Sequence, residues 1–149
     1  MANAQRLSGP IVLIEDDLND ELIVRWTLSA TGIENPVIAF DSVLDAQGQL
    51  ADLTERGECP LLFIIDITLR GSESGIDFLR WLRSQSRPLG TTPAMMLSGS
   101  EDPDARIETA ELAAVLFLSK PVTAAALVGS LRFFGVEVGG PDRRLSRPD

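Results

Sequence analysis

The chain has 149 residues, of which 44% are apolar and 23% charged, and its formal net charge is −9. That is the size of one ordinary domain with enough apolar content for a packed core, which excludes a disordered chain. The acidic balance argues against nucleic acid as a partner, no apolar run approaches the ~20 residues of a membrane span, and the opening MANAQRLSGP lacks the apolar stretch of a secretory signal.

Strands and helices are predicted to alternate along the chain. PIVLIE (10–15) is a short, β-branched run ending in an acid, as a buried parallel strand would be. Leu18, Leu22, Trp26 and Ala30 then recur every four residues on one helical face, read here as a packing face, and Gly32 closes that helix. NPVIAF (35–40) is a second strand, after which Asp41 or Ser42 caps a helix with Val43, Ala46, Leu50 and Leu53 in a stripe that stops at Gly57. LLFII (61–65) is the most apolar strand and runs straight into Asp66. The loop TLRGSESG leads to a helix carrying Ile76, Leu79 and Leu82.

PAMML (93–97) is a fourth strand, followed by the loop SGSEDPD and a short helix near 104–113. AVLFL (114–118) is a fifth strand, and Pro121 and Thr123 open a last helix with Leu127, Leu131 and Phe134 on one side. Gly139, Gly140 and Pro141 break the pattern, so the expected division is an extension over 1–9, one domain over 10–137 and a flexible tail over 138–149. Trp81, like Trp26, reads as a helix-packing residue, and the helix faces are expected to leave no surplus apolar patch.

Five strand–helix units predict an α/β fold: a doubly wound (βα)5 flavodoxin-like sandwich with a parallel sheet of order 2-1-3-4-5. Ligands of such sheets bind outside the carboxyl ends of the strands, at the switch between strands 1 and 3. Just past those ends stand Glu15, Asp16 and Asp17 after strand 1, Asp66 after strand 3, Ser98 after strand 4 and Lys120 after strand 5. Lys120 is the only lysine among 13 basic residues, which suggests a use for a compact ammonium. Carboxylates crowded at one rim raise one another's pKa or recruit a cation, and a hard divalent ion such as Mg²⁺ suits such oxygen donors. With a lysine and a hydroxyl to hold phosphoryl oxygens, a carboxylate in that setting can accept a phosphoryl group. The absence of histidine excludes Ser–His and Cys–His catalysis, and with Cys59 as the only cysteine it also excludes a zinc site. The lone thiol also fits a reducing cytosol, so a cytoplasmic location is expected.

The segments IVLIEDD (11–17), LLFIID (61–66), MMLSGSED (95–102) and LFLSKPV (116–122), in this order and spacing, resemble the receiver domains of bacterial two-component response regulators. The resemblance covers residues from about 10 to 135. It implies that Glu15 and Asp16 bind Mg²⁺, that the backbone carbonyl of Thr68 completes the metal shell with Asp66, and that Asp66 is the phosphoacceptor. It further implies that Ser98 bonds a phosphoryl oxygen, that Lys120 pairs with the phosphoryl group ahead of a cis Pro121, and that Phe117 is the aromatic switch. The partners implied are a sensor histidine kinase or histidine phosphotransfer protein, and a downstream protein on the face of the fourth helix, fifth strand and fifth helix (104–134). A homodimer, or a role as a relay or sink for phosphate, is a further form of output.

About fifteen residues follow the fifth helix, so a single-domain regulator is expected, without an output domain. The chain departs from the family at Arg70, where a Pro is usual four residues after the phosphoacceptor. The loop through Gly71, Ser72, Glu73 and Ser74 to Gly75 is also a residue longer than usual, and Gly99 stands where Ala is commoner.

Each residue alone has an ordinary structural reading: Asp66 as a loop cap, Asp17 as a helix cap, Phe117 as core, Cys59 as an inert loop thiol, and Arg143, Arg144 and Arg147 as a solvated tail. Two other functions remain open on the sequence. One is a phosphate-independent pseudo-receiver. The other is a haloacid-dehalogenase-like phosphatase, which is disfavoured because Thr68 stands where its second acid belongs.

Overall fold

The computed structural model describes residues 8–70, 73–99, 103–113 and 115–138. Gly71, Ser72 and Ser100, most of the 1–9 extension and the tail with Arg143, Arg144 and Arg147 lie outside the described residues. Five parallel strands form one sheet in the order β2-β1-β3-β4-β5: β1 Ile11–Ile14, β2 Val37–Phe40, β3 Leu62–Asp66, β4 Ala94–Ser98 and β5 Val115–Ser119. The helices between and after them are α1 Leu18–Ala30, α2 Val43–Glu55, α3 Gly75–Arg83, α4 Pro103–Glu108 and α5 Ala124–Phe133. This is the doubly wound, flavodoxin-like α/β fold that the alternation predicts.

Side chains alternate across the pleat, so the two faces of the sheet build two cores. Val12, Ile14, Phe63, Ile65 and Met96 pack against α2 and α3. Ile11, Leu13, Ile64, Met95 and Leu97 pack against α1 and α5. The predicted stripe of α2 is buried throughout, at Val43, Ala46, Leu50 and Leu53. Ser42 caps that helix by accepting the Asp45 N–H, and Thr123 caps α5 by accepting that of Ala126. Gly32 and Gly57 follow α1 and α2 with φ of +83° and +75°, the left-handed conformation that ends helices.

The stripe predicted on α1 points the other way. Leu18, Leu22, Trp26 and Ala30 are all exposed, Trp26 by 82%. The helix packs on the sheet through Val24 and Leu28 instead, almost opposite on the helical wheel. α1 therefore has two apolar faces, and periodicity alone cannot say which one the sheet covers. The expectation that the helices leave no apolar surface is corrected with it. Trp81, by contrast, does pack, against Phe78 with ring centroids 5.5 Å apart. α4 is also shorter than expected, ending at Glu108.

One glycine ties the fold to the pocket. α3 starts directly over the end of β3, where the Gly75 N–H donates to the Ile67 carbonyl at 3.0 Å. A Cβ on Gly75 would lie 2.0 Å from the Asp66 carbonyl oxygen and 2.9 Å from Ile65 Cγ2. Only glycine lets the helix approach the backbone that carries Asp66. Gly75→Ala should therefore lower stability by about 1–3 kcal/mol, read as a lower urea midpoint. Gly129→Ala, on the exposed face of α5 where a Cβ meets nothing within 4 Å, should instead raise it by about 0.5–1 kcal/mol.

Candidate functional site

The pocket is built by backbone that stops pairing. β1 ends at Ile14, and Glu15 and Asp16 follow it into the turn before α1. Asp66 is the last residue of the neighbouring strand β3, and Ser98 the last of β4. Lys120 follows β5, and its N–H donates to the Ser98 carbonyl at 2.8 Å, which locks the two strand ends together. The Lys120–Pro121 peptide is cis, as the family resemblance implies.

Glu15, Asp16 and Asp66 each place one carboxylate oxygen within 4.8 Å of the others. Glu15 and Asp66 are buried, 1% and 4% exposed, and Asp16 is half-buried. Ligand atoms around Mg²⁺ are about 3 to 4 Å apart at bond lengths near 2.1 Å, so small side-chain rotations would bring these oxygens onto one ion. All the donors are hard oxygens, and the set fits Mg²⁺ or Mn²⁺.

Lys120 is the counter-charge. Its Nζ lies 3.1 Å from Glu15 Oε2, 3.0 Å from Asp66 Oδ2 and 2.9 Å from Asp20 Oδ2. Burial of the ammonium works against its charge, yet hydrogen bonds to Asp20 and Asp66, the Asp66 charge and the Glu15 contact outweigh it and raise its pKa. Glu15 is pushed up to about 7, first by burial and then by the Asp66 charge, against the pull of the Asp17 N–H and of Lys120. Even with its lysine in place, then, the pocket holds more negative charge than it neutralises. That excess is the physical reason for it to take up a cation.

The loop after β3 shapes the rest. The Thr68 N–H donates to Asp66 Oδ1 at 3.1 Å, so both oxygens of Asp66 are held. The backbone N–H of Arg70 donates to Asp16 Oδ2, and its guanidinium stands 3.8 Å from Asp17 Oδ2. A proline at this position, usual in the family by the resemblance, has no N–H to give; here the departure adds a bond that orients Asp16. Asp17 caps α1 by accepting the Asp20 N–H at 3.1 Å. Ser98 is half-buried at the rim. Phe117 lies further down β5, half-buried against the α2–α3 core, with the Arg106 guanidinium 5.1 Å from its ring centre. The residues predicted from the strand ends thus converge at one rim, while Phe117 sits away from it. Sequence reading missed Asp20, whose helix-start position looks like that of any solvated acid, and the backbone role of Arg70.

A family model described as the response regulator receiver domain matches residues 11–132. None of the curated proteins matches the chain. Among solved structures, the bacteriophytochrome response regulator RtBRR is 27% identical with a TM-score of 0.73, over 87% of this chain and 79% of that one. A response regulator receiver domain from Rhodospirillum rubrum is 27% identical with a TM-score of 0.70, over 87% and 96% of the two chains. The Mn²⁺-bound form of response regulator Rcp1 is 25% identical with a TM-score of 0.69, over 87% and 95%.

The raised pKa of Glu15 has a pH signature. Between its ordinary 4.5 and about 7 the unfolded chain has released the Glu15 proton while the folded chain retains it. The folded state then binds more protons, and stability falls as pH rises through that window. Urea titrations of the protein in EDTA should show this fall, and Glu15→Gln should reduce it. Saturating Mg²⁺ should also reduce it, by stabilising the carboxylate.

Proposed function

We propose that this chain, which belongs to the response regulator receiver domain family, is a phosphorylation-controlled interaction module with Asp66 as its phosphoacceptor. The observation that carries this reading is the buried Asp66 carboxylate, 3.0 Å from the only lysine and sharing its pocket with Glu15 and Asp16. A carboxylate oxygen of Asp66 attacks the phosphorus of a phosphohistidine on a kinase or phosphotransfer protein. The new P–O bond forms as the P–N bond breaks, and the electron pair leaves on the imidazole nitrogen, which takes up a proton from solvent. A divalent ion held by Glu15, Asp16, Asp66 and the Thr68 carbonyl would neutralise charge on the phosphoryl oxygens. Lys120 supplies the positive charge that belongs to the chain itself, and the Ser98 hydroxyl donates to a phosphoryl oxygen.

The response runs along β4 and β5. Drawing Ser98 toward the phosphoryl group disturbs a strand end already bonded to Lys120, and Phe117, on the strand that leads into that lysine, repacks under Arg106. The α4-β5-α5 face, where Ile107 is 72% exposed, then presents a different surface to a protein partner or to a second copy. In this reading the donor protein docks on α1, whose outer face carries the exposed Leu18, Leu22 and Trp26. The phosphatase alternative lacks its second acid, since Thr68 stands two residues past Asp66. The role is that of a phosphoacceptor in the cytoplasm, with slow self-catalysed gain and loss of phosphate at most.

Incubation with Mg²⁺ and acetyl phosphate should add one phosphoryl group to the protein by intact mass, and Asp66→Asn should add none. Folded parent protein that binds Mg²⁺ and gains no mass would count against transfer from small donors. Loss of Mg²⁺ binding as well would favour the pseudo-receiver. Mg²⁺ should also raise the melting temperature, and Asp16→Asn should lose most of that rise. Lys120→Arg should fold normally yet impair the response to phosphorylation, because a planar guanidinium cannot take the place of a compact ammonium.

A further inference from the structure

The lysine is tethered from outside the pocket as well as from within. Asp20 lies in the first turn of α1, beyond the oxygens that converge on the candidate metal site. Its contact with Lys120 Nζ, at 2.9 Å, is the shortest of the three that the ammonium makes to carboxylates. Its side chain is 38% exposed and belongs to neither core. The backbone N–H of the same residue is bonded to the Asp17 cap, so the carboxylate is carried on a fixed turn of helix.

We propose that Asp20 is a positioning residue for Lys120, holding the ammonium at the mouth of the pocket so that one of its donors stays aimed at Asp66. An ammonium has three N–H donors, and here they face Glu15, Asp20 and Asp66. The inference rests on Asp66 as phosphoacceptor. When that carboxylate becomes an acyl phosphate it loses its charge as a partner of the lysine, and the phosphoryl oxygens take over its donor. Glu15 gives up part of its hold at the same time, because its charge is shared with the cation. Asp20 is the anion that takes no part in either event. It keeps the flexible four-carbon stem from straying into solvent just when the ammonium must turn to a new acceptor.

A bare charge effect predicts the opposite of positioning. Asp20 adds negative charge near the path of an anionic donor, so its removal would speed transfer if charge alone mattered, whereas loss of a tether slows it. The test is the rate of phosphorylation by acetyl phosphate at saturating Mg²⁺ and high salt, followed by intact mass, with Mg²⁺ affinity measured calorimetrically. Asp20→Asn should slow transfer about fivefold or more with the Mg²⁺ affinity unchanged, and Asp20→Glu should recover most of the rate. In a Lys120→Ala background, Asp20→Asn should have no further effect, because the tether then has nothing to hold.

An Asp20→Asn rate equal to or above that of the parent would overturn the inference while leaving Asp66 as phosphoacceptor. The same slowing in the Lys120→Ala background would also overturn it, as would a loss of Mg²⁺ affinity large enough to explain the rate. A parent that takes a phosphoryl group neither from acetyl phosphate nor from a phosphohistidine donor would remove the phosphoacceptor reading and this inference together.

Discussion

One ammonium among acids that outnumber it is the interaction on which the rest of this structure depends. Glu15 and Asp66 are nearly inaccessible to water, and two buried carboxylates so close together cannot both remain charged without a partner. Lys120 is that partner, and its own charge survives burial because three carboxylates surround it. The balance is incomplete, as the raised pKa of Glu15 shows. A pocket left in that condition favours the entry of positive charge. Removing Lys120 without a replacement would leave buried carboxylates unpaired, which is costlier than never having buried them.

The fold concentrates these groups by simple means. Parallel strands end at the same edge of the sheet, so residues far apart in the chain become neighbours without any long loop to place them. The bond from the Lys120 N–H to the Ser98 carbonyl extends the pairing of β4 and β5 past their last residues, and the lysine enters the pocket from a fixed base. Gly75 sets the other side by letting α3 begin against the Asp66 backbone. The carboxylate proposed to change chemically therefore stands at the end of the buried central strand, with α3 packed against its backbone.

The strand ends were legible because burial on both faces leaves a parallel strand uniformly apolar, so the first polar residue marks where it leaves the core. Glu15 and Asp66 stand out for that reason, Lys120 because it is the only lysine of the chain, and the sheet order follows from the alternation of elements. The direction of α1 was not legible, because Leu18–Leu22–Trp26 and Val24–Leu28 are both apolar and a repeat carries no sign saying which one meets the sheet. Asp20 was hidden by its position in a helix's first turn, where acids are common for the sake of the helix dipole. Arg70 was visible as a departure, but its effect passes through a backbone N–H, which residue identity reveals only by comparison with the proline that would lack it.

The outward face of α1 and the tether at Asp20 belong to the same helix, which gives that helix two roles at different distances from the chemistry. Its exposed stripe begins one residue after the Asp17 cap, and Asp20 lies between that stripe and the lysine. The helix that carries this exposed apolar stripe is therefore also the one whose first turn contacts Lys120. On its other side the same lysine is joined through its backbone N–H to the Ser98 carbonyl at the end of β4, and the strand that leads into it carries Phe117 against Arg106.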